Sequence, residues 1–121
     1  MAAAHYHLDN LVVIVDRNRL QITGPTDEVM ALEPLADKFA SFGFCVQSCD
    51  GNDVDDLVQT FAQTPFEPGK PSLILAHTTK GRGVSFIENQ VKWHHRVLTE
   101  DELAQALHEL EDAENRLKVV A

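Results

Sequence analysis

An α/β fold, with a parallel sheet and flanking helices in three layers, follows from three features of the sequence. Two apolar runs of strand length, Leu11-Val12-Val13-Ile14-Val15 and Ser72-Leu73-Ile74-Leu75-Ala76-His77, lack the polar alternation of a strand with one wet face. Amphipathic segments of helical period separate the strand-like runs. The order strand, helix, strand, helix, strand favours right-handed crossovers and parallel pairing. All carboxyl strand ends then share one edge, where ligands of such sheets bind.

Met1 to His7 holds good helix formers without an N-cap or entry turn, and reads as the last turns of a helix. Asp9-Asn10 turns the chain into the first strand, which the apolar run places under cover on both faces. The segment Asp27 to Met30 is loop or short helix. Glu33-Pro34 starts the next helix, because proline fits a first turn that has no use for its N–H. Leu32, Leu35, Phe39 and Phe42 define its buried face, and Gly43 ends it. Phe44 to Cys49 is a second strand, less apolar and so nearer an edge. Asp50-Gly51-Asn52-Asp53 turns and caps a helix whose Val54, Leu57, Val58 and Phe61 recur at i, i+3, i+4 and i+7. The loop Thr64 to Pro71 carries three prolines and cannot continue that helix; it delivers the chain to the third strand. Thr99-Glu100-Asp101-Glu102 is a capping box, with Leu98 and Leu103 as a staple. Leu103, Ala106, Leu107 and Leu110 give the last helix its apolar face. Asn115 to Ala121 carries no signal.

The 121 residues suffice for one small domain and are short for a complete cofactor enzyme. A net charge of −9 argues against a nucleic-acid or anionic-membrane surface. Cys45 and Cys49, four apart on one strand, are too distant to pair with each other. They suggest a reducing, cytoplasmic setting, and the sequence has neither a secretory leader nor a spanning run.

The chemistry concentrates at strand ends. Asn18 follows the first strand, and its amide oxygen is a hard neutral donor suited to magnesium; asparagine serves equally as a plain turn residue. Arg17, Arg19, Lys80 and Arg82 form a local basic group on an acidic chain, as a phosphate ligand would require, or are ordinary solvated charges. His77-Thr78-Thr79-Lys80-Gly81-Arg82-Gly83 brings backbone and a lysine to a third-strand end, an arrangement that fits phosphate. Downstream, Trp93-His94-His95 is either a packed loop or a means of presenting an imidazole for proton transfer.

These blocks, taken in order, resemble transketolase. The match is to the carboxyl-terminal part of its thiamine-diphosphate-binding (pyrophosphate) domain and covers nearly the whole chain. The blocks that carry it are Asp16-Arg17-Asn18-Arg19-Leu20, Gly24-Pro25-Thr26, Leu32-Glu33-Pro34-Leu35-Ala36-Asp37-Lys38, His77 to Gly83 and Trp93-His94. The resemblance implies that Asn18 supplies a side-chain ligand and Leu20 a backbone carbonyl to the Mg2+ that holds thiamine diphosphate. Lys80 then lies near the cofactor, and His94 contacts the diphosphate and the sugar and assists proton transfer. The implied reaction moves a two-carbon ketol unit from a ketose phosphate to an aldose phosphate. The implied partner is a pyrimidine-binding domain or carboxyl-terminal subunit, in a homo- or hetero-oligomer.

Two departures stand against the family pattern. His95 occupies the place of a family glycine. The upstream Gly-Asp-Gly element, whose aspartate completes the metal site, has no counterpart here. The chain therefore reads as a piece of a transketolase, inactive alone, or of the amino-terminal subunit of a split one. The alternative is a non-catalytic remnant that pairs with a complementary chain.

Overall fold

The computed structural model describes residues 1–120. In chain order the elements are α1 (Ala2–His5), β1 (Val12–Arg17), β2 (Leu20–Gln21), β3 (Gly24–Pro25), α2 (Thr26–Val29), α3 (Leu35–Ser41), β4 (Cys45–Asp50), α4 (Val54–Ala62), β5 (Ser72–His77), a 3-10 turn (Val91–Trp93) and α5 (Glu100–Val120). They divide into two units. The first comprises Met1–Arg19 with Thr26–Thr78, and the second Leu20–Pro25 with Thr79–Ala121.

The first unit is built on a parallel sheet in the order β1-β5-β4, so the expected α/β class and parallel pairing hold. The strand covered on both faces, however, is β5 rather than β1. Residues 72–76 are all buried, and Ile14 on β1 is 53% exposed. An apolar run records side-chain chemistry, whereas position in a sheet depends on which strands pair. Both β1 and β4 pair with β5, which leaves them as edges. Cys49, Ile74 and Ala76 form the core cluster, with Val12, Leu57 and Phe66 packed against it. Burial raises the Cys49 thiol above its ordinary range, with the nearby Asp56 carboxylate adding to the rise. Both cysteines are free thiols, Cys45 being half-buried.

Helix boundaries follow the local chemistry. Gly43 stands just beyond α3 with φ +90°, and α3 begins directly after Pro34. On α4, the Asp53 carboxylate accepts the N–H groups of Asp55 (2.9 Å) and Asp56 (3.1 Å). Asp53→Ala is expected to cost about 1 kcal/mol, read by urea denaturation. The anticipated apolar face of α4 is only partly used. Leu57 packs on the core and Thr60 is buried, but Val54, Val58 and Phe61 are exposed. The helix is turned so that the 57/60 stripe meets the sheet unit, and its other apolar side chains lie outside that stripe. Phe42 is likewise exposed.

In the second unit, β2 and β3 form a short antiparallel pair. The capping box is present: Glu102 accepts the Thr99 N–H at 2.9 Å, and the Thr99 hydroxyl accepts the Glu102 N–H at 3.3 Å. The helix it starts continues to Val120, through a tail whose sequence carries no signal. Of the expected apolar face of α5, Ala106 is buried, whereas Leu103, Leu107 and Leu110 are about half exposed.

Three carboxylates are held below the ordinary glutamate range by backbone donors: Glu33 by the Leu35 N–H and then Arg17, Glu102 by Thr99, and Glu109 by Ser85. A lowered native pKa gives stability that is complete above the unfolded-state value and is lost as pH falls through the native one. Melting temperature is therefore expected to hold near neutral pH and to decline once the pH drops past roughly 4.3, the ordinary glutamate value. Replacing all three glutamates by glutamine should flatten that decline in a calorimetric pH series.

Candidate functional site

Parallel register brings Arg17, His77 and Asp50 level across the sheet, so the residues at and beyond them share its carboxyl edge. Strand alternation puts Asp16 and Asn18 on the same side of the β1 exit. The Asn18 amide nitrogen lies 3.5 Å from Asp16 Oδ1, and the Thr78 hydroxyl donates a short hydrogen bond to that same oxygen. The Thr78 N–H points to the Arg17 carbonyl at 3.4 Å. Gly51 makes room for this arrangement. Its N–H donates to the His77 carbonyl at 2.8 Å, and a Cβ on it would stand 2.5 Å from Thr78 Cγ2 and 2.9 Å from Ala76 Cβ.

Arg17 is 4% exposed, and its guanidinium is turned to carboxylates. Its Nε donates to Glu33 Oε1 at 2.7 Å, and Nη2 bonds the same oxygen. Glu33 Oε2 accepts the Leu35 N–H at 2.9 Å, and Asp27 lies 4.0 Å from Nη2. The pair ties the β1 exit to the start of α3. The carboxylates offset the cost of burying the guanidinium, although Nη1 is buried without a hydrogen-bond partner among the described residues.

In the second unit Leu20 is half-buried and pairs with Pro25. Lys80 is half-buried, and its carbonyl accepts the Asn89 N–H at 2.9 Å. Gly81 has φ +74°, and a Cβ there would meet Ile87 Cγ2 at 2.3 Å and the Ile87 backbone at 3.1 Å. Gly81→Ala should cost at least 1–2 kcal/mol from the left-handed backbone alone, measurable by denaturation, and should shift the Lys80 and Ile87 amide resonances. Trp93 is buried, its Nε1 donating to the Phe86 carbonyl at 3.1 Å and its face covered by the Arg96 guanidinium at 4.4 Å. The packed member of the Trp-His pair is thus the tryptophan. His94 is exposed, directly after the 3-10 turn, with its ring 6.1 Å from that of His95.

Asn18 therefore belongs to the first unit, and Leu20, Lys80 and His94 to the second. A cavity of about 570 Å³ in the second unit, lined in part by Arg82, Glu88, Glu109 and Arg116, contains none of the four. Sequence reasoning missed Asp16 and Thr78 as partners of one another and Glu33 as the partner of Arg17. The i, i+2 spacing of Asp16 and Asn18 was a usable signal only for the contact between those two. A contact such as Asp16 to Thr78, between residues 62 apart, carries none.

Residues 1–119 match the model of the transketolase thiamine diphosphate binding domain. The chain belongs to the transketolase family. It is 44% identical over 118 residues to an apulose-4-phosphate transketolase subunit of Phocaeicola vulgatus, covering 98% of this chain and 42% of that protein. It is also 44% identical over 111 residues to a 6-deoxy-6-sulfo-D-fructose transketolase subunit of a Clostridium species, covering 92% of this chain and 40% of that one. Among solved structures, the transketolase of Campylobacter jejuni superposes with a TM-score of 0.82 at 29% identity, over 91% of this chain and 17% of its own. The chain thus spans about two-fifths of the transketolase subunits it matches.

The β1 exit carries the Asn18 amide and the Asp16 carboxylate side by side. Amide and carboxylate oxygens are hard ligands of the kind magnesium takes. Among the described residues no three His, Cys, Asp or Glu side chains gather into a metal cage. No described helix is long and apolar enough to cross a membrane.

Proposed function

We propose that this transketolase domain binds thiamine diphosphate through Mg2+ and takes part in two-carbon ketol transfer between sugar phosphates. The observation that carries this reading is the Asn18 amide at the carboxyl end of β1, inside the family-matched segment and beside a fixed carboxylate. When bound, thiamine diphosphate supplies the carbanion chemistry that breaks and remakes the carbon–carbon bond. The residues of this chain bind and orient. Asn18 Oδ1 and the Leu20 carbonyl would hold the metal, and Lys80 would set a positive charge beside the diphosphate. His94, displayed next to the anchored Trp93, would hold or pass a proton at the sugar hydroxyl.

One side-chain ligand and one carbonyl are too few for a tight magnesium site, which also draws on phosphate oxygens, water and further protein oxygen. On this reading the remaining ligands and the pyrimidine-binding domain come from further transketolase polypeptide, with which the chain acts in the cytoplasm. The relatives whose names mark them as single subunits of a transketolase support that arrangement.

Paramagnetic relaxation tests the binding assignment even when affinity is low. Mn2+ with thiamine diphosphate, titrated into the 15N-labelled chain, should broaden the resonances of Asn18 and Leu20 first, and Asn18→Ala should abolish that effect. Broadening confined to the acidic faces of α4 or α5, unchanged by the substitution, would overturn it.

A further inference from the structure

We infer that Glu109, on the last helix, is the positioning residue for Lys80 and His94, both of which it sets by clamping the Ser85-Phe86 stretch that lies between them. The inference rests on the proposed function for its consequence, that these two residues meet the ligand, though not for its geometry. All the residues involved belong to the second unit. Ser85 directs both of its donors to Glu109, its N–H to Oε2 at 2.6 Å and its hydroxyl to Oε1 at 2.8 Å. Two acceptor oxygens on one charged group are what a carboxylate offers and a neutral amide does not. Glu109 is braced on α5 itself, where Oε1 also accepts the Gln105 amide at 2.9 Å from one turn earlier.

The hold passes along the chain in both directions. The peptide whose N–H meets Glu109 has the Val84 carbonyl at its other end, and that carbonyl accepts the N–H groups of Ile87 (2.9 Å) and Glu88 (3.1 Å). A planar peptide gripped at both ends cannot turn over. The turn it closes leads to Asn89, whose N–H holds the Lys80 carbonyl at 2.9 Å, while the Val84 N–H returns to the Gly81 carbonyl at 3.3 Å. Towards the other candidate, the Phe86 carbonyl accepts the Trp93 indole N–H at 3.1 Å, and the two rings meet edge to face at 5.6 Å. His94 follows directly, its N–H on the Val91 carbonyl at 3.0 Å. Gly81 and Gly83 both have positive φ and leave this backbone many alternatives. A fixed point on a long helix selects among them. Gly83 sits near enough to that helix for a Cβ on it to stand 3.4 Å from Leu110 Cδ2.

The test compares Glu109→Gln, Ser85→Ala and Ser85→Thr in the whole 15N-labelled chain. Glutamine keeps the shape of glutamate with one acceptor oxygen, alanine removes only the hydroxyl, and threonine keeps both donors. Solvent exchange of the Ser85 amide and of the Trp93 indole N–H should quicken roughly tenfold in Glu109→Gln, as for the loss of a hydrogen bond to a charged group. The increase should be smaller in Ser85→Ala and absent in Ser85→Thr. The Lys80 and His94 amide resonances should move in the same order, with the shifts of β5 and of the first turns of α5 as the check on folding. Thiamine diphosphate with Mg2+ should perturb Lys80 and His94 in the wild type and in Ser85→Thr, and bind roughly tenfold more weakly to Glu109→Gln. Lys80 and His94 resonances that stay in place while the Ser85 amide is released overturn the inference, because Glu109 then only staples the loop to the helix. So does unchanged Ser85 exchange in Glu109→Gln, or unchanged affinity after Lys80 and His94 have moved. No perturbation of Lys80 or His94 by thiamine diphosphate in any of the proteins, with the exchange pattern as expected, refutes the ligand reading and leaves the clamp standing.

Discussion

Ile74→Ala is expected to lower the unfolding free energy by about 2–5 kcal/mol, the range for truncating a fully buried aliphatic side chain. Ile74 has no solvent exposure and sits at the middle of the central strand, in register with Ile14 on one side and Gln47 on the other. Of its cluster, Ala76 lies on β5 itself, and Cys49, Val12, Leu57 and Phe66 come from two further strands, a helix and the proline loop, so they cannot collapse together to fill the void. For a chain of this size the loss corresponds to a fall in Tm on the order of 10–20 °C, a large part of a domain's usual stability. Ile14→Ala is the matched control. The same atoms are removed from a side chain that is 53% exposed, and the change should stay within roughly 0.5 kcal/mol. Equal losses from the two substitutions in urea denaturation would mean that β5 is not the covered strand.

The second large effect concerns Arg17 and Glu33, and it is an asymmetry. Removing Glu33 strands a guanidinium that is 4% exposed, with Asp27 at 4.0 Å as its remaining counter-charge. Removing Arg17 leaves a carboxylate that is 52% exposed and can be hydrated. Glu33→Ala should therefore depress Tm much more than Arg17→Met. The double variant Arg17→Met/Glu33→Ala should lie close to Arg17→Met alone, because the stranded charge is gone. Additive losses would show that the pair contributes only local packing. Glu33→Ala should also disturb the β1 exit, as read from the backbone amide resonances of Arg17 and Asn18.

The sheet was legible where residues act locally. Ser72 to His77 has the bounds expected of it, since prolines close one end and polar residues the other. Asp53, Gly43 and the Thr99/Glu102 box mark their helix ends through contacts within a few residues. What depends on pairing was not legible: Ile14 and Ile74 are the same residue in similar runs, yet one lies at an edge and the other at the centre. At the candidate site the pattern was similar. Asn18, Leu20, Lys80 and His94 stood out through their motif, but the contacts that fix them did not. Arg17 read as a surface cation because its partner, Glu33, lies 16 residues away beyond an intervening hairpin and helix.

Trp93 is the sole tryptophan of the chain, and it belongs to the second unit, buried under Arg96 and against Phe86. Its emission consequently reports on the packing around Phe86 and Arg96, whereas the parallel strands contribute the sheet band in the far ultraviolet. Trp93 and Ala106 are the only buried apolar side chains among the described residues of the second unit. On warming, the emission should redden before the sheet band is lost, so one sample and two wavelengths resolve the order in which the halves of the molecule let go.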